Sequence, residues 1–171
     1  MSNEKIKVFD NALNPFDYLK IRDVMMSPDF PWFFRNTVVH TNDQEIGDTE
    51  IYQFVHLFYN GGISSHHFDI LNPILDILNA QTVLKIKANL LTCAKEPEFF
   101  AMHQDYRYPT AKSAIFYINT NDGVTKFETG EEIASVANRL VVFDNNLYHT
   151  GIRPTDKVSR VLINFNYFNY L

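Results

Sequence analysis

The chain has 171 residues, 46% of them apolar and 15% aromatic, which is enough for one well-packed core and too little for two ordinary domains. A formal net charge of -5 argues against sequence-independent attraction to nucleic acid phosphates. Cys93 is the sole cysteine, so an intrachain disulfide and any zinc site built on several thiolates are excluded. A reducing, cytoplasmic setting is expected, and no segment approaches the roughly 18 apolar residues that a membrane helix needs.

Lys5 to Phe9 reads as a first strand. Asn14-Pro15 reads as an N-cap followed by proline at the first helical position, which predicts a helix from about Pro15 to Met26. Pro28 and Pro31 break it. Trp32-Phe33-Phe34 and Ile51–Tyr59 follow as strands rich in aromatic and β-branched residues, with Asn60-Gly61-Gly62 as a turn. Phe68, Leu71, Leu75 and Leu78 recur at helical spacing and predict one amphipathic helix from about Ser65 to Asn79. From Thr82 onward the chain reads as strands at Val83–Leu91, Ser113–Asn119, Val124–Phe127, Leu140–Phe143 and Arg160–Phe168. Turns punctuate them at Asn121-Asp122-Gly123, Thr129-Gly130, Asn145-Asn146 and Pro154-Thr155-Asp156. Helices first and antiparallel strands after argue for a mainly β, double-sheet fold braced by N-terminal helices.

Strand periodicity assigns faces. Leu84, Ile86, Ala88 and Leu90 suit packing under the helices, whereas Lys85, Lys87, Asn89 and Leu91 share the other side and are polar enough to line a pocket. In the last strand Val161, Ile163 and Phe165 oppose Arg160, Leu162, Asn164 and Asn166. An arginine buried in such a strand needs an anionic partner.

Two histidines and one carboxylate on one face of an octahedron form the donor set of non-haem iron(II) sites with open positions. His103-Gln104-Asp105 supplies two donors, because residues two apart on an extended segment point the same way. His149, beyond the Leu140–Phe143 strand, is the candidate third. With six histidines and 20 acidic residues, chance supplies on the order of one His-x-acid triplet, and the chain holds a second, His67-Phe68-Asp69. That one falls in a predicted helix, where its residues diverge, and is rejected. His66 and His67 read as decorating a helix start, and His40 and His56 as ordinary surface or strand histidines. Eleven residues after His149, Arg160 offers a planar fork for a carboxylate; the competing reading is a structural salt bridge.

Several ordered pieces carry a resemblance. They are Phe100-Ala101-Met102-His103-Gln104-Asp105, Ala114 to Asn119, Gly123 to Phe127, Asn138 to Asp144 with Tyr148-His149-Thr150-Gly151, and Arg160 to Phe168. Over roughly Val83 to Phe168 the chain resembles the 2-oxoglutarate and iron(II)-dependent dioxygenases, in particular the prolyl-4-hydroxylase-like branch with its compact bacterial and phage members. The resemblance implies a double-stranded β-helix (jelly roll) braced by two helices. It implies a single domain over 1–171, with helical support and first strands in 1–80 and the catalytic core in 81–171. It also implies His103, Asp105 and His149 as iron ligands, no further catalytic residue, and Arg160 on the distal carboxylate of 2-oxoglutarate. Tyr117 matches a position whose hydroxyl often helps bind that carboxylate, and Asn89 lies near one where relatives place a contacting tyrosine. Leu91 and Leu162 depart from the pattern, because neither donates a hydrogen bond.

The implied cofactors are Fe(II), 2-oxoglutarate and dioxygen, with ascorbate as an optional reductant. The implied chemistry is hydroxylation of a C–H bond with release of succinate and carbon dioxide, in the cytoplasm of a microbial cell or phage-infected host. A prolyl residue of a peptide or protein is the first choice of substrate, met by Trp32, the His40–Asp48 loop and Tyr106-Arg107-Tyr108. Thr37–Thr49 is either a lid or an excursion. A free amino acid or small metabolite is the second reading and a metal-binding module without oxidation the third; a nucleic acid base is disfavoured by charge. The sequence leaves oligomeric state open.

Overall fold

The structure, a computed structural model, describes residues 5–36, 52–98, 100–106 and 108–169; Thr37–Thr49, His40 and Arg107 lie outside them. Among the described residues ten strands form two antiparallel sheets. The larger runs in the order β1 (Ile6–Phe9), β8 (Arg139–Asp144), β5 (Lys112–Tyr117), β10 (Ser159–Phe168), β4 (Thr82–Thr92), β3 (Gln53–Asn60) and β2 (Phe33–Arg35). The smaller is β7 (Glu132–Ala134), β6 (Val124–Phe127) and β9 (His149–Gly151). The two sheets face one another as a jelly roll, and the helices cover the outer face of the larger one. Among the described residues no helix is long and apolar enough to cross a membrane.

Helix α1 (Pro15–Met25) starts where the sequence says it should: Asn14 accepts a hydrogen bond from the Asp17 N–H at 3.1 Å and Pro15 occupies the first turn. The second helix departs from expectation. Instead of one helix over Ser65–Asn79, a 3-10 turn at Phe68–Leu71 leads into a short α2 (Asn72–Leu78). Pro73 has no N–H to give and fits only a first turn, so the α-helix restarts there, and Asn79 ends it in the left-handed region at φ 48°.

Alternation in the central strands divides the protein into two cores. Ile21, Met25, Leu71 and Ile74 from the helical layer pack on Ile86, Ala88, Phe116, Val161, Ile163 and Phe165 of the larger sheet. On its opposite face Ile115, Tyr117, Val141, Phe143 and Leu162 meet Phe127 and Ile133 of the smaller sheet. One assignment shifts. Val83, rather than Leu84, packs on the helical core, because the register slips at Asn166/Tyr167 and pairs Tyr167 with Val83. That bulge reverses which side chain faces which way at this end of β4.

β1 pairs directly with β8, and the segment that follows it is held by Asn138, which adopts φ 62°. Its amide accepts from the Leu13 N–H at 3.0 Å and donates to the Leu13 carbonyl at 2.8 Å. Asn138→Ala is expected to cost about 2–4 kcal/mol in urea unfolding, since it loses both bonds and strains the backbone. Asn138→Gly should cost less, because glycine tolerates the positive φ.

Candidate metal centre

His103 and His149 lie opposite each other in a one-residue antiparallel bridge, each N–H bonded to the other's carbonyl at 3.0 Å. The pairing turns a loop residue and a β9 residue into direct neighbours, with ring centroids 4.7 Å apart. Extended backbone then carries Asp105 to the same side as His103, while Gln104 turns away and donates to the Asn146 carbonyl. The loop before the bridge is tied down twice. Arg153 pairs with Glu98 at 2.7 Å and Thr150 donates to the Phe100 carbonyl at 2.8 Å.

The imidazole Nδ1 atoms face backbone carbonyls, His103 toward Ala101 at 3.3 Å and His149 toward Leu147 at 3.1 Å. A proton on Nδ1 leaves the Nε2 lone pair free for a metal. Both Nε2 atoms lie 3.9 Å from Asp105 Oδ1. The other carboxylate oxygen is occupied, accepting from Ser113 Oγ at 3.1 Å and Asn166 Nδ2 at 3.0 Å. Burial, and then the neighbouring His149, hold His103 below the ordinary imidazole pKa, which favours its neutral, ligating form. One donor atom from each of the three residues lies within 4.8 Å of the others. Cis donors with bonds of about 2.0–2.2 Å stand about 3 Å apart, so the three side chains would close by about an ångström on a metal, and two histidines with one carboxylate are the donor set of the iron class. Among the described residues this is the one such cluster.

The same cavity is lined by Arg160, Leu162, Asn164, Asn89, Leu91, Ile115 and Thr125. Arg160 is 1% exposed, and its position depends on two glycines. A Cβ on Gly123 would stand 2.7 Å from Arg160 Cδ, and one on Gly151 would stand 2.9 Å from Nη1. Its guanidinium donates to Ser135 Oγ at 2.7 Å and Thr125 Oγ1 at 2.9 Å and lies 5.6 Å from the Tyr117 ring centroid. No carboxylate among the described residues pairs with it. The salt bridge of the competing reading is absent among the described residues, and burial lowers the Arg160 pKa.

No protein-family model matches the sequence, and no curated protein matches it either. Solved structures do match. A Pseudomonas putida prolyl-4-hydroxylase superposes with a TM-score of 0.67, covering 98% of this chain and 95% of that one at 13% identity. A 2OG-Fe(II) oxygenase family oxidoreductase from Burkholderia pseudomallei gives 0.69, covering 98% and 87% at 11% identity. The chain has the fold of the 2-oxoglutarate and iron(II)-dependent oxygenases. A Trichoplax adhaerens prolyl hydroxylase, solved in complex with a hypoxia inducible factor oxygen degradation domain peptide fragment, shares this oxygenase fold at a TM-score of 0.67, covering 97% and 84% at 11% identity.

Within that oxygenase fold the remaining candidates separate. Asn89 lines the cavity, with its buried Oδ1 lacking a partner. Tyr117 stands behind the cavity wall; its hydroxyl is 2.7 Å from Thr125 Oγ1. His67 ends in an aromatic cluster with Phe30, His56 and His66, and His56 is buried between the Pro31 carbonyl and Ser65 Oγ, both at 2.8 Å. Trp32 is partly buried against Phe30 rather than displayed, while Tyr108 is exposed and its ring stacks with Tyr106. Thr125, Ser135 and Ser113 were not singled out by the sequence. Ser113 was within reach, since it shares a β5 face with Ile115 and Tyr117.

Manganese(II) binding, followed by paramagnetic relaxation of water, should be lost in His103→Ala and unchanged in His67→Ala. Asn166→Leu, which removes one of the two hydrogen bonds to Asp105 Oδ2 without touching a donor atom, is expected to weaken binding by about 10–100-fold.

Proposed function

We propose that this chain is a 2-oxoglutarate-dependent iron(II) oxygenase that hydroxylates a C–H bond, with His103, Asp105 and His149 as the metal ligands. The observation that carries this reading is Arg160: a buried cation with no carboxylate facing it among the described residues, in the same cavity as the donor set. A pure metal-binding module has no need of such a cation. An unpaired ion costs several kcal/mol to bury, and a ligand carboxylate offsets that cost.

Iron held by His103, Asp105 and His149 would supply activation of dioxygen beside the co-substrate, with succinate and carbon dioxide as co-products. The chain's own residues bind and orient. Arg160 takes the distal carboxylate of 2-oxoglutarate. Thr125 accepts from Arg160 and, with Tyr117 donating to it, keeps its own hydroxyl proton for the same carboxylate. Tyr117 thus acts through Thr125, and Asn89 presents its amide from the adjoining strand. Leu91, Leu162 and Ile115 keep that end of the cavity apolar, which strengthens each polar contact. The substrate assigned first is a prolyl residue of a peptide or protein, which agrees with the prolyl hydroxylase folds it matches. Tyr106 and Tyr108 offer aromatic contacts for such a segment. A reducing compartment such as the cytoplasm suits both the lone Cys93 and ferrous iron.

Anaerobic addition of iron(II) and 2-oxoglutarate together should produce a weak visible charge-transfer band that neither gives alone; a folded protein without it contradicts the proposal. Arg160→Met is expected to raise the 2-oxoglutarate needed for half the band by about a hundredfold, near 3 kcal/mol. The iron requirement should change little. Equal effects on both would mark Arg160 as structural.

A further inference from the structure

The cavity holds a second cation. Lys87 lies on β4 between Asn164 of β10 and Leu57 of β3, its cross-strand partners, and both Lys87 and Asn164 line the cavity. Lys87 is partly buried, and among the described residues its ammonium has no ion pair or hydrogen bond. Leu91, four residues further along β4, is the cross-strand partner of Arg160, which separates the two positions by about 13 Å at ~3.3 Å per residue. Lys87 therefore stands toward the metal end, where its field acts on His103 and the Asp105 charge acts on it. A co-substrate held between Arg160 and the metal occupies the other end.

Among the described residues no carboxylate forms an ion pair with Lys87, and Asp105 acts on it only through space. Asp105 is committed, one oxygen to Ser113 and Asn166 and the other toward the two histidines. Burial first, then Lys85, push the Lys87 pKa down, and Arg35 adds to the effect against Asp105. A chain of net charge -5 thus places two cations, Lys87 and Arg160, in the lining of this cavity. Beside Lys87, the buried Oδ1 of Asn164 also has no partner. An ammonium donor next to an amide oxygen acceptor matches a carboxylate flanked by an N–H or O–H group.

We propose that Lys87 seats a carboxylate of the substrate, with Asn164 accepting from a neighbouring polar hydrogen, so that the molecule oxidised is acidic close to its reacting carbon. This assignment rests on the function proposed above. The carboxylate comes either from a terminal carboxylate beside the reacting ring or from an acidic side chain next to it in a peptide.

The test uses the full chain loaded with manganese(II) and saturating 2-oxoglutarate, which binds without turnover, and reads paramagnetic broadening of probe resonances. N-acetyl-L-proline is compared with N-acetyl-L-prolinamide, and acetyl-Pro-Glu-amide with acetyl-Pro-Gln-amide. At least one acidic probe should bind about tenfold more tightly than its neutral twin, and which pair shows the preference identifies the source of the carboxylate. Lys87→Met should bring the twins together, and Lys87→Arg should retain most of the preference. Equal binding within both pairs, no broadening of either acidic probe, or a preference that survives Lys87→Met would overturn the proposal. So would a Lys87→Met protein that needs more 2-oxoglutarate, since Lys87 would then serve the co-substrate, or one that is less stable to heat, since Lys87 would then be structural. If manganese or 2-oxoglutarate fails to bind the unaltered chain, the function proposed above fails instead.

Discussion

Arg160 carries its positive charge into the interior between two sheets, and much of the surrounding structure exists to tolerate it. Ser135 and Thr125 take its N–H groups, the Tyr117 ring lies against its guanidinium, and Gly123 and Gly151 leave the space that its side chain fills. None of these supplies the negative charge that would make burial of a cation favourable. Left so, the arrangement costs stability; completed by a ligand carboxylate, it becomes a binding site whose donors are already oriented. Natural proteins accept such local costs where they bind something.

The three candidate metal donors depend on a second economy of structure. The reciprocal bridge between His103 and His149 aligns the two imidazoles through the backbone, so their geometry does not rely on long side chains finding each other. The carbonyls of Ala101 and Leu147 then set the rings, and Ser113 with Asn166 sets the carboxylate. Asn145 donates in turn to Ser113 Oγ at 2.9 Å, directing the serine proton to Asp105. Asn166 and Arg160 belong to the same face of β10, so one strand both orients the Asp105 carboxylate and presents the buried cation. Lys87 and Asn164 extend that logic across the β4–β10 pair, where two alternating strands place their polar residues in a single cavity.

Much of this was legible in strand alternation. The period of two in β4 and β10 separated a helix-facing set from a pocket-facing set, and Ile86, Ala88, Val161, Ile163 and Phe165 pack as that pattern requires. The His-x-Asp triplet by itself was uninformative, since His67-Phe68-Asp69 has the same form; what distinguished His103 was its ordered neighbourhood. The remainder is non-local. Asp105 meets Asn166 across 61 residues of chain and Arg160 meets Thr125 across 35, separations that local periodicity does not encode. The three-residue strands β7 and β9 are too short to show a period. The bulge that exchanges Val83 for Leu84 follows from pairing with β10, while Pro73 marked the shortened α2 in plain sight.

The most direct test is a crystal structure of the protein grown with manganese(II) and 2-oxoglutarate. One metal ion is expected, bonded to His103 Nε2, His149 Nε2 and an Asp105 oxygen, with the keto-acid end of the co-substrate on it and the far carboxylate on Arg160 and Thr125. A metal bound elsewhere, or a co-substrate absent from the Arg160 end while the metal is present, would contradict the proposed function.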